Sequence, residues 1–228
     1  MNQKIQTLRN GLIVSCQAPT DSPLHNPLII AAIAQAAVNQ GAVAVRIDSP
    51  AHIKAFRRQN PTTLIIGLWK QQLEGSEVYI TPQFEHATAV ASADADIIAL
   101  DATQRQRPQG EKLEEIIAQI HSRLGKLVMA DVDTIENAIA AKLAGADLIA
   151  TTLYGYTPQT KHLTPPGFEL LTELVKLEIP AICEGGIASP QMAQQALQLG
   201  AYAVVVGTAI TGIDLQVKAY QQALAHLF

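Results

Sequence analysis

Gly145-Ala-Asp-Leu-Ile-Ala-Thr-Thr152 is one of four similar stretches that recur along the chain at nearly equal intervals. Each stretch begins with a small residue and continues into a run of mostly apolar residues, which predicts a helix end followed by a buried strand. The other stretches are Gly41-Ala-Val-Ala-Val-Arg-Ile-Asp48, Ala93-Asp-Ala-Asp-Ile-Ile-Ala-Leu-Asp101 and Gly200-Ala-Tyr-Ala-Val-Val-Val-Gly207. Their aligned alanines are separated by 53, 51 and 55 residues, at Ala42, Ala95, Ala146 and Ala201.

A second set of apolar segments lies midway between these stretches and raises the number of predicted strands to eight. These segments are residues 11–17, 63–70, 126–131 and 180–184. Because the runs are nearly continuous rather than alternating, they are typical of a parallel sheet that is covered on both faces.

Segments with helical periodicity separate the strands. They are residues 26–40, 110–124, 133–144 and 189–200. Asn26 and Ser189 each precede a proline and are predicted N-caps, and the spacing of Asp133 and Glu136 predicts a capping box.

Strand and helix alternate about eight times without a change of composition or a linker, which predicts one α/β domain over residues 1–228, a (β/α)8 TIM barrel. A doubly wound open sheet is the alternative. Residues 71–82, after the third strand, form the only sizeable irregular segment in this prediction and indicate an enlarged loop.

Composition excludes several functional classes. The net charge is −4 and aromatic residues make up 4% of the chain, so neither phosphate neutralisation nor base stacking is expected, and we predict no nucleic-acid partner. No apolar stretch is long enough to cross a membrane, and residues 1–10 contain no signal core. Cys16 and Cys183 are predicted to be buried thiols. A cytoplasmic protein is the expectation.

Polar residues stand at or near the predicted strand ends, where TIM barrels carry their catalytic groups. In chain order they are Gln17, Arg46, Lys70, Asp101, Asp131, Thr152, Glu184 and Gly207. We expect the lysine, the arginine and the three acids to converge on one barrel mouth, with their side chains in solvent above the core.

Two of these residues suit proton transfer. Desolvation beside the barrel wall can lower the pKa of Lys70 and make it a base or an imine-forming nucleophile. A raised pKa at Glu184, after an apolar strand, suits proton donation. The third and seventh strands place the two residues across the barrel axis from each other.

Glycines after the last two strands indicate phosphate binding. Gly185 and Gly186 follow the seventh strand, and Gly207 and Thr208 follow the eighth. Glycines here let backbone N–H groups approach a phosphate.

The sequence favours neither a metal nor a nucleotide cofactor. Asp131 and Asp133 could hold a metal, but Asp133 is better explained as a helix cap. No glycine-rich nucleotide-binding motif is present, and no cofactor is expected. The histidines show no ligand spacing and are expected to be solvated or capping residues: His25, His52, His86, His121, His162 and His226.

Several motifs together resemble the bacterial N-acetylmannosamine-6-phosphate 2-epimerases. They are Gly67-Leu-Trp-Lys70, Glu74-Gly-Ser-Glu-Val-Tyr-Ile-Thr-Pro82, Ala130-Asp131, Thr151-Thr-Leu-Tyr-Gly-Tyr-Thr157, Glu184-Gly185 and Val206-Gly-Thr-Ala-Ile-Thr211. The resemblance runs from about Arg9 to the C-terminus. It implies a phosphate-binding TIM barrel that interconverts N-acetylmannosamine 6-phosphate and N-acetylglucosamine 6-phosphate in amino-sugar or sialic-acid breakdown, and a homodimer by family habit.

The resemblance also implies roles for individual residues. The catalytic lysine falls on Lys70 and the catalytic glutamate on Glu184, while substrate contacts fall on Gln17, Arg46 and Asp131. Thr152 and Tyr156 are further candidate substrate contacts.

Two positions depart from the family pattern near the expected phosphate site. Many members carry a cation where this chain has Gly186, and an arginine where it has Gly212. The phosphate is therefore expected to rest mostly on backbone N–H groups.

Two alternative functions use the same residues. An imine-forming phosphosugar aldolase would use Lys70 as its nucleophile. A catalytically silent barrel would merely bind a phosphorylated metabolite, although the presence of both Lys70 and Glu184 argues against it.

Overall fold

The chain forms a closed barrel of parallel strands in a computed structural model that describes residues 2–225. The strands pair in chain order, and β1 closes the ring against β8. The prediction of a (β/α)8 TIM barrel is confirmed, and the open-sheet alternative is wrong. The strands are β1 Leu12–Cys16, β2 Ala44–Asp48, β3 Leu64–Leu68, β4 Ile97–Asp101, β5 Leu127–Asp131, β6 Leu148–Ala150, β7 Ala181–Glu184 and β8 Ala203–Val206.

Two apolar layers explain why the strands are nearly continuous apolar runs. Side chains that point inward fill the barrel, and those that point outward pack under the helices. On β1, Ile13 belongs to the inner layer, while Val14 and Cys16 belong to the outer layer. Alternate residues therefore serve different cores, and both must be apolar.

Helices cover the outside of the barrel. They are α1 Gln3–Gln6, α2 Pro27–Asn39, α3 Pro50–Gln59, α4 Phe84–Ser92, α5 Leu113–Gln119, α6 Ile135–Leu143, α7 Phe168–Val175, α8 Pro190–Gln198, α9 Thr208–Thr211 and α10 Ile213–Ala225. The side chains of Asn26 and Ser189 accept hydrogen bonds from the first turns of α2 and α8, so both predicted caps are confirmed.

Two helix predictions need correction. Thr134, not Asp133, caps α6, because its side chain accepts the Asn137 N–H, whereas the Asp133 carboxylate is buried and accepts a hydrogen bond from the Asn137 side chain. The predicted helix over residues 110–124 begins only at Leu113, since Gly110 has a φ of 72°. From Ile120 to Leu124 it continues as a π-helix.

The N-terminal segment contributes an element that sequence reasoning missed. Helix α1 and the turn after it bring Ile5 and Leu8 into the inner apolar layer, where they are 4% and 0% exposed. Asn10 donates its N–H to the carbonyl of Tyr202, just before β8. The segment therefore closes the barrel at the N-terminal ends of the strands.

Two long loops rise from the C-terminal ends of the strands. The enlarged loop predicted at residues 71–82 spans residues 69–83, and it returns toward β3 through a bridge between Lys70 and Ile80. The loop over residues 151–167 was not predicted, so the third-strand loop is not the only sizeable irregular segment. Hydroxyl groups tie it to the barrel, because Thr157 donates to Asp133 and lies 2.9 Å from the Thr160 hydroxyl.

The structure confirms the predicted burial of the cysteines but not the expected exposure of all the histidines. Cys16 and Cys183 are buried, as predicted. His52 and His86 are buried too, which corrects the expectation of solvated histidines, while His226 lies outside the described residues. No helix within residues 2–225 is both long and apolar enough to cross a membrane.

The closure by the N-terminal segment makes a stability prediction. Leu8→Ala should lower the free energy of unfolding by about 2–5 kcal/mol, because it leaves a cavity in the inner layer. Urea denaturation measures the loss, with the exposed Gln3→Ala as the control. An unchanged transition in Leu8→Ala would show that the segment does not support the barrel.

Candidate active site

A cavity of about 750 Å³ opens at the C-terminal ends of the strands. Loops that follow β1, β2, β3, β6, β7 and β8 contribute to its wall. Most of the predicted site residues line it, namely Gln17, Lys70, Thr152, Tyr156, Glu184, Gly185, Gly186, Gly207 and Thr208. Arg46 and Asp131 are not on its surface.

The buried guanidinium of Arg46 joins two carboxylates beneath the cavity. It contacts Asp131 through both terminal nitrogens, at 3.0 and 2.5 Å, and Glu184 through Nη1 at 2.7 Å. Arg46 is 1% exposed and Asp131 is 0% exposed. Burial works against the charge of Arg46, but the two carboxylates hold its pKa above the ordinary value.

Arg46 corrects the assignment of the second strand end. It lies within β2 and points into the barrel, while Asp48 is the residue at which the strand ends. Asp131 and Glu184 stand where β5 and β7 end. The ion pairs therefore connect three strands from inside the barrel.

Glu184 is the member of this cluster that reaches the cavity. Its carboxylate Oε2 accepts hydrogen bonds from Arg46 and from the Thr152 hydroxyl, the latter at 3.1 Å. The same hydroxyl lies 2.7 Å from Asp131 Oδ1. Burial raises the pKa of Glu184 to about 7. The positive charge of Arg46 lowers this pKa, and the negative charge of Asp131 raises it. Glu184 is only 9% exposed, so the expectation that its side chain projects into solvent is wrong.

Lys70 occupies the other side of the cavity, just beyond β3. Its Nζ donates to Gln17 Oε1 at 2.6 Å, and Gln17 in turn donates to the Ser15 hydroxyl at 2.8 Å. The side chain keeps contact with solvent, but the surrounding protein removes enough water to lower the pKa of Lys70. Eight strands close the barrel, so β3 and β7 lie opposite each other and Lys70 faces Glu184.

Sequence reasoning missed several cavity residues, including Asp48 and Tyr79. Asp48 lines the wall beside Lys70, and Tyr79 reaches it from the 69–83 loop. Asp48 could have been found, because it is the last residue of a repeated stretch whose counterparts include Asp101. Tyr79 had no comparable signal, since its placement depends on how the loop folds back.

Asp101 does not join the other acids. Its carboxylate accepts hydrogen bonds from Arg105, 2.5 Å away, and from the Thr103 hydroxyl. Arg107 donates to its backbone carbonyl. The expectation that three acids converge is therefore wrong for Asp101, which holds the loop after β4.

The backbone conformation favours glycine at both positions after β7, and at Gly186 there is also no space for a side chain. Gly185 and Gly186 have φ values of 98° and 70°, which favour glycine. A Cβ on Gly186 would lie 2.5 Å from a side-chain atom of Pro165 and 2.7 Å from its backbone. The 151–167 loop thus fills the space where a family cation would begin.

Backbone N–H groups remain available at this end of the cavity. Those of Gly186 and Ile187 donate to no acceptor in the described part of the chain. After β8, Gly207 leads directly into α9, whose first amides have no acceptor within the helix. At Gly212 a Cβ would lie 2.8 Å from Thr208 Cα, so the turn is tight there as well.

Residues 2–225 contain no cluster of three or more His, Cys, Asp or Glu side chains that could hold a metal ion. Asp131 and Asp133, the pair considered from sequence, have separate partners. The former binds Arg46, and the latter accepts from Asn137 and Thr157.

Comparison with known proteins assigns the family. The sequence model described as putative N-acetylmannosamine-6-phosphate epimerase matches residues 30–226. The chain belongs to this epimerase family. Its resemblance to the family, first seen in short motifs, is thereby confirmed.

Relatives in this epimerase family match nearly the whole chain. A putative N-acetylmannosamine-6-phosphate 2-epimerase of Synechococcus elongatus is 59% identical over 224 residues, 97% of each chain. One from Thermosynechococcus vestitus is 62% identical over 218 residues, 95% of this chain and 94% of the relative. The solved N-acetylmannosamine-6-phosphate 2-epimerase from Clostridium perfringens superposes with a TM-score of 0.93 at 41% identity, covering 97% and 96% of the two chains.

The raised pKa of Glu184 makes a prediction about stability. Between pH 4.5 and pH 7 the folded protein holds a proton that the unfolded chain has released, so raising the pH favours unfolding. Glu184→Gln removes this effect. Its free energy of unfolding relative to wild type should therefore increase by on the order of 2 kcal/mol across this interval.

Urea denaturation at several pH values measures the difference. Glu74→Gln, which removes an exposed carboxylate, should show a pH dependence equal to that of wild type. A difference between Glu184→Gln and wild type that stays constant or falls with pH contradicts the raised pKa.

Proposed function

We propose that this protein interconverts N-acetylmannosamine 6-phosphate and N-acetylglucosamine 6-phosphate by moving a proton at C2. The observation that carries the proposal is the pairing of Lys70 and Glu184 across one cavity, in a chain that belongs to the epimerase family. The S. elongatus relative bears the name of this activity.

The chemistry demands groups on both sides of the sugar. The C2 hydrogen is acidic only when C1 is a free aldehyde, so the ring opens before the proton leaves. Removal of the proton gives an enolate, and its return to the opposite face inverts C2. A base and an acid on facing strands suit this requirement.

Lys70 is the proposed base. Its lowered pKa increases the fraction of neutral amine at neutral pH, and its hydrogen bond to Gln17 holds the amine toward the cavity. In the forward step, Lys70 accepts the C2 proton and becomes an ammonium ion, while the C–H electron pair passes into the enolate.

Glu184 is the proposed acid. A carboxyl group with a pKa of about 7 holds a proton in part of the molecules at neutral pH and can donate it to the other face of C2. Asp131 and Arg46 fix the carboxylate from below, and Thr152 fixes it from the side. The reverse reaction uses the same two groups with their protonation states exchanged.

The roles of Arg46 and Asp131 are refined in this proposal. Both were expected to contact substrate, but they lie under the cavity surface and contact Glu184 or its partners. We assign them to positioning Glu184. Gln17 and Tyr156, which line the cavity, remain proposed substrate contacts together with Thr152.

The phosphate is proposed to bind at the glycine loops after β7 and β8. The N–H groups of Gly186 and Ile187 have no acceptor within residues 2–225, and Gly185, Gly207 and Thr208 line the same end of the cavity. Binding at this remote group orients C2 between Lys70 and Glu184. The mechanism requires no metal or organic cofactor.

The activity test uses N-acetylmannosamine 6-phosphate in D2O, followed by NMR. Deuterium should appear at C2, and nowhere else, as the epimer forms. Lys70→Ala and Glu184→Gln should each reduce turnover by at least about a thousandfold, since each removes a proton-transfer group, whereas Glu74→Gln should match wild type. Unphosphorylated N-acetylmannosamine should be a poor substrate in both kcat and KM.

Three results would contradict the proposal. Borohydride trapping of a covalent adduct at Lys70 would favour an imine-forming aldolase. Binding of the sugar phosphate without exchange at C2 would favour a silent binding protein. Equal kcat/KM for the free and phosphorylated sugars would remove the phosphate site.

The protein is further proposed to be a cytoplasmic homodimer. A phosphorylated sugar carries charge and does not cross membranes freely, which supports the location.

The dimer is supported by α10, in which none of residues 213–225 is buried. Four of its large apolar side chains recur at intervals of four, three and four residues and are each more than half exposed, at Ile213, Val217, Tyr220 and Leu224. Such spacing forms one helix face suited to a second copy of the chain.

A charge on this face tests the dimer. Val217→Glu should convert the dimer to a monomer in analytical ultracentrifugation, because a carboxylate would be buried at the interface. Gln222→Glu adds the same charge to the opposite face of α10 and should leave the dimer intact. A monomeric wild type, or a dimer that survives Val217→Glu, contradicts the proposed interface.

A further inference from the structure

Asp48 ends β2 at the wall of the cavity, one strand away from Lys70. The two strands pair in parallel, with Asp48 opposite Leu68. The Asp48 carboxylate accepts the backbone N–H of Lys70 at 2.9 Å through Oδ1. No part of the proposed mechanism has so far used this acid, although it lines the cavity.

Several groups keep Asp48 in place. Its backbone carbonyl lies 2.9 Å from His52 Nδ1, and the His52 ring packs edge-on against His25, with 4.6 Å between centroids. His25 Nδ1 lies 3.1 Å from the carbonyl of Ala18. These contacts hold the Asp48 backbone, and with it the carboxylate, at the end of β2.

Asp48 and Lys70 are the main partners of opposite charge for each other in this part of the cavity. The burial of Lys70 lowers its pKa, and among the acids Asp48 opposes this effect most, ahead of Glu184 and Asp131. Lys70 is in turn the main cationic partner of Asp48. The charged or titratable groups that face either residue are His25, Arg46, His52, Asp131 and Glu184, and the neutral Gln17 contacts Lys70 Nζ.

We propose that Asp48 is the positioning residue of the catalytic lysine. Its carboxylate holds the Lys70 backbone by one hydrogen bond, and its charge stabilises the ammonium ion that forms when Lys70 accepts the C2 proton. This inference rests on the proposed function, because it assigns Lys70 the role of the base.

The charge has a distinct consequence for catalysis. The protein around Lys70 disfavours an ammonium ion, and Asp48 opposes that effect. Without Asp48, more lysine would be neutral at low pH, but the neutral amine would be a weaker base. Asp48 thus keeps Lys70 strong enough to remove a proton from carbon.

A direct titration of Lys70 separates this proposal from the proposed function. Lysines are reductively dimethylated with 13C-formaldehyde and a borane reductant, and the Lys70 signal is identified by its loss in Lys70→Arg. Asp48→Asn keeps the size of the side chain and the acceptor oxygen for the Lys70 N–H, but it removes the charge. The pKa of the Lys70 amine should fall by about one unit or more in Asp48→Asn.

The controls use the same measurement. Glu74→Gln removes an exposed carboxylate from the loop that follows Lys70 and should leave the titration unchanged. Asp48→Glu keeps the charge and should restore at least half of the shift. An unchanged Lys70 titration in Asp48→Asn overturns the inference, whether or not wild type shows epimerase activity.

Kinetics give the second readout. With N-acetylmannosamine 6-phosphate, Asp48→Asn should lower kcat about tenfold and move the acid limb of kcat/KM to lower pH by the shift seen in the titration. A loss of kcat with an unmoved acid limb would show a merely structural role and overturn the inference. Absence of wild-type turnover would remove the proposed function while the titration still reports on Asp48.

Discussion

A single buried cation organises this barrel from within. Placing the Arg46 guanidinium in an apolar interior carries a desolvation penalty of several kcal/mol, which attraction and hydrogen bonding can offset only with close partners. Asp131 and Glu184 meet that requirement at 2.5 and 2.7 Å, and they come from β5 and β7. The middle of β2 and the ends of β5 and β7 are thereby held in a fixed relation, and each of the two acids depends on the same arginine.

The sharing of one cation by two acids also explains the behaviour of Glu184. Arg46 engages Asp131 with both terminal nitrogens but reaches Glu184 with one. The carboxylate of Glu184 is therefore less fully compensated in a place where water is scarce, and the nearby Asp131 charge disfavours a second anion. A proton on Glu184 relieves that imbalance. Burial and this imbalance together raise the pKa of Glu184 to about 7.

The sequence predicted the barrel because its repeats report burial directly. Strands such as β8 are covered on both faces, so their residues had to be apolar, and polar residues marked the strand ends except for Arg46, which lies within β2. Lys70 and Glu184 could be found in this way. Contacts between distant segments could not be found, because no local pattern encodes them. Packing between loops and strands determines three such contacts. Arg46 points into the barrel, Asp101 pairs with Arg105 instead of facing the cavity, and Tyr79 reaches the cavity because its loop folds back.

The contact between Gly186 and Pro165 links two segments that are far apart in the sequence. No side chain fits at position 186 while the 151–167 loop lies where it does, because a methyl group there would already overlap the proline. Any side chain introduced at this position in this protein would have to displace Pro165 and the loop that carries it. The turn after β7 and the 151–167 loop are therefore coupled in shape, so an exchange of the turn that brings a side chain to position 186 also requires an exchange of the loop.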